Sequence, residues 1–233
     1  QESTENLTTE IIKNSEEIMN FLKRDNIQIN EIDNYHIYPI ADNATPQLSA
    51  DRLEYSLSNG LLTYKLVDID KIKEMYNDVY IQKDENGIDE LGFKSEKIAI
   101  EFVKMTSRLS VIYREDRTIY SMQFIADILK KLNDEDEIRR EDLYTLRELD
   151  IIKIIEKSKY KDIFNLWRKS KAVLTSLTPP KNVYYVHHGA KIRYIDPLVN
   201  MNRISKINSE ANKMIQNNLS YDMNKYVYLD MKF

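Results

Sequence analysis

Apolar positions three and four residues apart dominate the first two thirds of the chain. The steps from Ile98 to Phe102, Met105, Leu109 and Ile112 predict a long amphipathic helix starting at Ser95. A second is predicted over Arg117 to Leu132, with Ile125, Ile128, Leu129 and Leu132 inward. Nearer the start, Asn14 and Ser15 are cap candidates for a helix whose Ile18, Met19, Phe21 and Leu22 share a side and which ends near Asn26. Ser49 caps another, with Ala50, Leu53 and Leu57 on one face and Gly60 placed to end it. Asp68 opens a short helix through Tyr76. Beyond the acidic run Asp134 to Glu137, three more are predicted: Glu141 to Leu149, Ile151 to Lys157, and Lys161 to Lys169.

The period changes elsewhere. Val79 to Phe93 predicts a small hairpin turning at Asn86-Gly87. Ile27 to Pro46 keeps no helical period and contains Pro39, Asn43 and Pro46, so it is expected to be an ordered loop, a common place to present functional side chains. After Thr178-Pro179-Pro180 the pattern becomes strand-like at Val183 to Val186, Lys191 to Ile195 and Tyr226 to Leu229, with a helix over Ser209 to Asn218 between. His188 and Gly189 are expected to turn between the first two strands. The expected architecture is mainly α, a helical body over residues 1–177 followed by a small α+β appendage over 178–233. Only four glycines and five prolines in 233 residues agree, because a large antiparallel sheet needs more positive-φ turns.

Charge separates along the chain. Residues 1–60 carry a net −7, 61–150 a net −6 and 151–233 a net +9, within a total of −4. A basic final third can meet phosphates or dock on acidic parts of its own chain. No cysteine is present, which removes disulfides, thiolate metal sites and a cysteine nucleophile, and fits a reducing, cytoplasmic setting. No run approaches the ~20 consecutive apolar residues that cross a bilayer, so no membrane association is expected.

Three histidines, His36, His187 and His188, are too dispersed for a self-contained histidine metal site. The adjacent pair points to opposite sides of an extended chain and reads as surface or turn histidine. There is no HExxH, nucleophile elbow, P-loop or GxGxxG. Chemistry is concentrated in Asp33 to Asn43, leading into Ser49-Ala50-Asp51-Arg52-Leu53-Glu54-Tyr55. On spacing alone, Asp51 is a first-turn carboxylate favoured by the helix dipole, Ser49 a cap, Arg52 a salt-bridge partner of Glu16, Glu17 or another acidic group, and His36 a loop histidine bonded to backbone.

The run Ser49 to Tyr55, with Tyr38-Pro39-Ile40-Ala41-Asp42-Asn43 before it, resembles the final aspartate helix and preceding loop of an HD-domain phosphohydrolase, whose metal site is H…HD…D. Ala190 to Val199, with Arg203-Ile204-Ser205, is similar to a tail found on some of these proteins. The resemblance implies an HD-like helical body and a phosphoester substrate, a phosphorylated small molecule of the nucleotide class. It also implies a divalent metal (Mn, Mg, Fe, Ni or Zn), with Asp51 as the last ligand. This sequence holds no His-Asp dipeptide and no histidine before His36. The first histidine and the His-Asp pair are therefore expected upstream of Gln1 or on a companion chain, or else to be absent, and the chain alone is expected to be inactive. One aspartate cannot hold a hydrolytic ion with a water position left open. In a completed site, proximity in sequence offers His36 and Arg52 to neutralise charge on a phosphoryl oxygen.

Lys191, Arg193 and Arg203, interleaved with Tyr184, Tyr185 and Tyr194, suit phosphate and base contacts. The same alternation arises where tyrosines of one sheet face pack on a helical body. A binding or regulatory module that recognises nucleotide, nucleic acid or protein through the basic tail is the other reading.

Overall fold

The computed structural model describes residues 7–187 and 189–229. Ten α-helices and seven strands follow one another along the described residues. First come α1 (Thr8–Asn14), α2 (Glu16–Asp25), α3 (Ala50–Ser58) and α4 (Ile69–Asp78), then the hairpin β1 (Val79–Lys83) and β2 (Asp89–Phe93). The helices α5 (Glu96–Ile112), α6 (Asp116–Asp134), α7 (Glu148–Lys157) and α8 (Lys161–Lys169) make up the middle. Four short strands follow: β3 (Leu174–Ser176), β4 (Tyr185–Val186), β5 (Leu198–Val199) and β6 (Asn202–Arg203). The helices α9 (Ile204–Ile207) and α10 (Ser209–Leu219) and the strand β7 (Tyr226–Tyr228) close the chain. It is mostly helical, with two small sheets and its α+β elements toward the C-terminus. Among the described residues, no helix is long and apolar enough to cross a membrane.

Two compact units divide the chain. One holds residues up to Ser107 together with Arg193–Gln216; the other holds Arg108–Ile192 and the residues from Asn217 onward. The expected boundary at residue 177 falls inside the second unit, because the strands of the basic tail join two different sheets.

The first unit is built on a four-stranded sheet of order β1-β2-β5-β6. Asp84 shapes the hairpin: its Oδ1 accepts the N–H groups of Asn86 and Ile88, each at 2.8 Å, while Gly87 takes φ 77°. Strand β2 then pairs in parallel with β5, bringing Gly92 opposite Leu198. A Cβ on Gly92 would lie 2.1 Å from Gln82 Nε2 and 2.5 Å from the Leu198 carbonyl oxygen, so only glycine permits this approach. Buried Gln82 uses the space to donate to the carbonyls of Phe93 and Leu198 and to accept from Met201 N–H at 2.7 Å. Phe93, Phe102, Val103, Leu198 and Ile204 are fully buried among the core of this unit.

The second unit packs α6, α7 and α8 with a three-stranded sheet of order β3-β7-β4. Tyr120, Phe124, Ile128 and Leu132 repeat at four-residue steps along α6 and are fully buried, joined by Ile155, Phe164, Val186 and Val227. Trp167 lies at the edge of this core and donates to Ser121 Oγ at 3.0 Å. Arg114 is 1% exposed. It donates from Nε to the Ser110 carbonyl and from Nη2 to the carbonyl and Oδ1 of Asn218, with Tyr221 5.2 Å from its guanidinium carbon. Both carbonyls belong to last turns of helices, whose unpaired C=O groups and dipoles favour a cation. Burial still pulls its pKa below the ordinary arginine value.

Several expectations change. Gly60 does not stop α3; the helix loosens into a π-helical turn over Asn59–Thr63, and a Cβ at Gly60 would meet Met105 Sδ at 2.5 Å, so a larger residue there requires the methionine side chain to shift. Glu141 to Leu149 is not one helix: a 3₁₀ turn over Arg140–Tyr144 precedes α7, with Asp142 accepting the Arg139 N–H at 2.9 Å. Lys191 to Ile195 forms no strand, and β5 and β6 lie just beyond it. The turn at His188 lies outside the described residues.

Replacing Gly92 by alanine is expected to lower the stability to urea by about 2–3 kcal/mol, because the Leu198 backbone cannot yield as a side chain would. Chemical denaturation followed by circular dichroism checks this, and an unchanged midpoint would contradict the β2–β5 approach.

Candidate functional site

The loop before α3 is held by its own polar groups. Asp42 Oδ1 accepts the Asn43 N–H at 2.8 Å, and Asn43 Nδ2 donates to the carbonyls of Pro39 and Leu48. Arg52 reaches back from the first turn of α3 and closes the loop. Its Nη1 donates to Asn43 Oδ1 and the Gln47 carbonyl, each at 2.7 Å, and its Nη2 to the Asn43 carbonyl. Among the described residues Arg52 forms no salt bridge to an acidic group; the acceptors of its guanidinium are the neutral oxygens of Asn43 and Gln47.

Asp51 begins α3 as predicted. Ser49 Oγ caps the helix by accepting the Arg52 N–H at 3.3 Å, and the Asp51 N–H donates to the Ala41 carbonyl at 3.2 Å. The Asp51 side chain is exposed and forms no ion pair among the described residues. One turn on, Tyr55 is half-buried. Burial raises its phenol above the ordinary value, Arg193 and then Arg52 pull it back, and Asp51 adds to the rise. Arg193, exposed and far along the chain, therefore lies within electrostatic reach of the Asp51 helix. Sequence reasoning did not pick out Tyr55 as the meeting point, nor Asn43 as the clasp of Arg52.

His36 takes a different place from the one proximity in sequence suggested. It sits in a 3₁₀ turn over Tyr35–Ile37 with Nδ1 3.2 Å from Asp42 Oδ2. Among the described residues, no group of three His, Cys, Asp or Glu side chains is placed to hold a metal ion. A resident divalent ion therefore does not fit on these residues alone.

Arg203 is not available to a phosphate. Its Nη1 donates to Glu90 Oε1 at 2.6 Å and to the Asp196 carbonyl at 3.1 Å; its Nη2 donates to Glu90 Oε2 at 2.8 Å and Glu85 at 2.9 Å. Burial works against the charge, but the bonds to Glu90 and then Glu85 outweigh it and raise the guanidinium pKa. The pair also builds the site, because Glu90 Oε1 accepts the Leu48 N–H at 3.0 Å just before the Ser49 cap. Lys191 is exposed and belongs to the second unit. His187 stacks on Tyr226 with ring centroids 4.0 Å apart, and His188 lies outside the described residues.

What the arrangement offers is an exposed carboxylate on Asp51 one turn from Tyr55, with the guanidinium groups of Arg52 and Arg193 both acting on that phenol, Arg52 held by neutral oxygens and Arg193 open to solvent. Guanidinium groups so placed can meet an anion. No family model, curated protein or solved structure matches the chain.

Two outcomes are expected. Arg203→Met strands the Glu90 carboxylate, whose side chain is 1% exposed, and should cost about 3–5 kcal/mol in urea unfolding, with Arg203→Met/Glu90→Leu costing less than the single change. The second concerns acid. Burial opposes the Asp84 charge, but the N–H groups of Ile88 and Asn86 hold its carboxyl below the ordinary 3.8. Glu85 is held below 4.5, first by its own backbone N–H and, against burial, by Arg203. Depressed carboxyls add stability above their unfolded values and lose it as pH falls, so the urea midpoint should drop from about pH 5 downward, and less steeply in Asp84→Asn.

Proposed function

We propose that the chain supplies one part of an HD-superfamily phosphohydrolase site that acts on a phosphorylated small molecule of the nucleotide class. One observation carries the reading. The two segments that resemble the family lie near opposite ends of the sequence, and Arg193 of the second stands within electrostatic reach of Tyr55 in the first. In this reading the carboxylate of Asp51 is left unpaired for a ligand, while Arg52 and Arg193 provide positive potential for phosphoryl oxygens. The clasp of Arg52 on Asn43 and Gln47 fixes its guanidinium before any ligand arrives, which lowers the cost of ordering it.

A divalent ion would supply an activated water in such a site, but its other ligands must come from outside the described residues, on an upstream segment or a companion chain. The isolated chain then binds without turning over. Arg203 and His36 drop out of the phosphate-binding set, the first saturated by carboxylates and the second paired with Asp42. A cytoplasmic setting belongs to the same reading.

A second reading is a binding or regulatory module that uses no metal. It is favoured by the lack of a three-ligand cluster among the described residues.

Calorimetric titration of the 233-residue chain with ATP, with and without Mn²⁺, separates them. The leading reading expects no hydrolysis above background, ATP affinity strengthened by Mn²⁺ in wild type but not in Asp51→Asn, and at least tenfold weaker binding in Arg193→Glu. Affinity indifferent to Mn²⁺ and to Asp51→Asn, yet lost in Arg193→Glu, selects the binding module. Absence of ATP binding under both conditions overturns both.

A further inference from the structure

The second unit carries an aromatic face that its core does not explain. In the sheet β3-β7-β4, Val186 pairs with Val227, and both point into the α6 core at 2% and 3% exposure. Because successive residues of a strand alternate sides, Tyr185 and its partner Tyr228 turn to the opposite face, together with Leu174 across from Tyr228 and Tyr226 across from Ser176. The rings meet there: Tyr185 and Tyr226 make an edge contact at 5.3 Å, and His187 stacks on Tyr226 at 4.0 Å. Tyr185 is 40% exposed and Leu174 52%. Burying this face inward would have called for branched apolar side chains like those on its reverse.

Charge singles out the same region. From Ile163 to Ile192 the chain contains no Asp or Glu and five cations. Arg168 is paired with Glu156, but Lys169, Lys171, Lys181 and Lys191 are exposed and form no ion pair among the described residues. Lys171 enters β3, and Lys181 and Lys191 lie on the segments entering and leaving β4. Four lysines without an ion pair on a stretch that itself carries no carboxylate are complementary to a polyanion, and they can track successive phosphates while ring faces receive bases.

We propose that the outer face of this sheet binds single-stranded nucleic acid, with bases stacking on Tyr185 and the Tyr226–His187 pair and with Lys171, Lys181 and Lys191 against the backbone phosphates. The face lies wholly in the second unit and shares no residue with the Asp51 helix, so the inference does not depend on the phosphohydrolase reading. A duplex would not satisfy it, because stacked and paired bases cannot reach the rings.

Fluorescence anisotropy with a labelled oligothymidylate of about 12 nucleotides tests the assignment. Expected is binding that weakens with salt, a loss of roughly tenfold or more in Tyr185→Ala, and recovery in Tyr185→Phe, which keeps the ring and the fold. Lys181→Glu/Lys191→Glu should weaken binding and flatten the salt dependence by about one to two in the slope of log K against log salt. Circular dichroism of each variant reports folding, and the phenylalanine variant keeps the test decisive if the alanine one is destabilised. Three results would overturn the proposal. One is no binding at low salt; another is equal affinity for the duplex of the same sequence. The third is binding that responds to the lysine changes but is the same in wild type, Tyr185→Ala and Tyr185→Phe, which would leave only attraction of a polyanion.

Discussion

A single buried ion pair organises the first unit. Glu90 on β2 and Arg203 on β6 face each other away from water, the glutamate side chain 1% and the arginine 5% exposed. Removing two charges from water is costly, and the cost is offset by good geometry and by further hydrogen bonds to the remaining polar positions. Both partners make such bonds. Glu90 also accepts the Leu48 N–H, Arg203 also donates to the Asp196 carbonyl, and the Asp196 N–H returns to the Pro46 carbonyl. The pair therefore fixes both sides of the short stretch Pro46–Leu48. Ser49 follows directly, and with it the start of α3 and the direction in which Asp51 and Arg52 project.

How far this was legible in the sequence depends on the range of the interactions. Helices set by local periodicity and caps emerged with near-correct bounds: Ser15, Ser49 and Asp68 each accept a backbone N–H at a helix start, and Lys161–Lys169 is where the spacing put it. The Asn86-Gly87 turn is likewise local. The failures are non-local. Strands of two residues, such as β5 and β6, have no period to detect, and they exist because Gly92 admits Leu198 and because Arg203 finds Glu90. Gly60 reads as a helix stop from sequence, while the side chain it packs against, Met105, is 45 positions away.

The site was partly legible for the same reason. Asp51 and Arg52 could be placed by counting from the Ser49 cap, since one helical turn determines where they go. Neither the clasp of Arg52 on Asn43 nor the approach of Arg193 to Tyr55 follows from spacing. His36 illustrates the limit: nearness in sequence to Asp51 suggested a shared role, yet the 3₁₀ turn at Tyr35–Ile37 gives it Asp42 instead. A short turn redirects a side chain by more than several residues of separation would suggest.

Counting charges along the chain also overstates what it can bind, and the arginines show why. Arg203 is cancelled by two carboxylates, and Arg114 is spent on the carbonyl ends of two helices. Arg52 is different in kind: its partners are neutral oxygens, so its position is fixed while its charge remains to be felt by a ligand. Lys169, Lys171, Lys181 and Lys191 are different again, unpaired and exposed on a stretch without carboxylates. A net charge of +9 over residues 151–233 is therefore several populations, of which only those lacking a carboxylate partner can attract an anion. In the first unit they include Arg193, which acts together with Arg52 on Tyr55 of the Asp51 helix. In the second they include the lysines on the segments flanking β3 and β4, where the chain from Ile163 to Ile192 carries no carboxylate of its own.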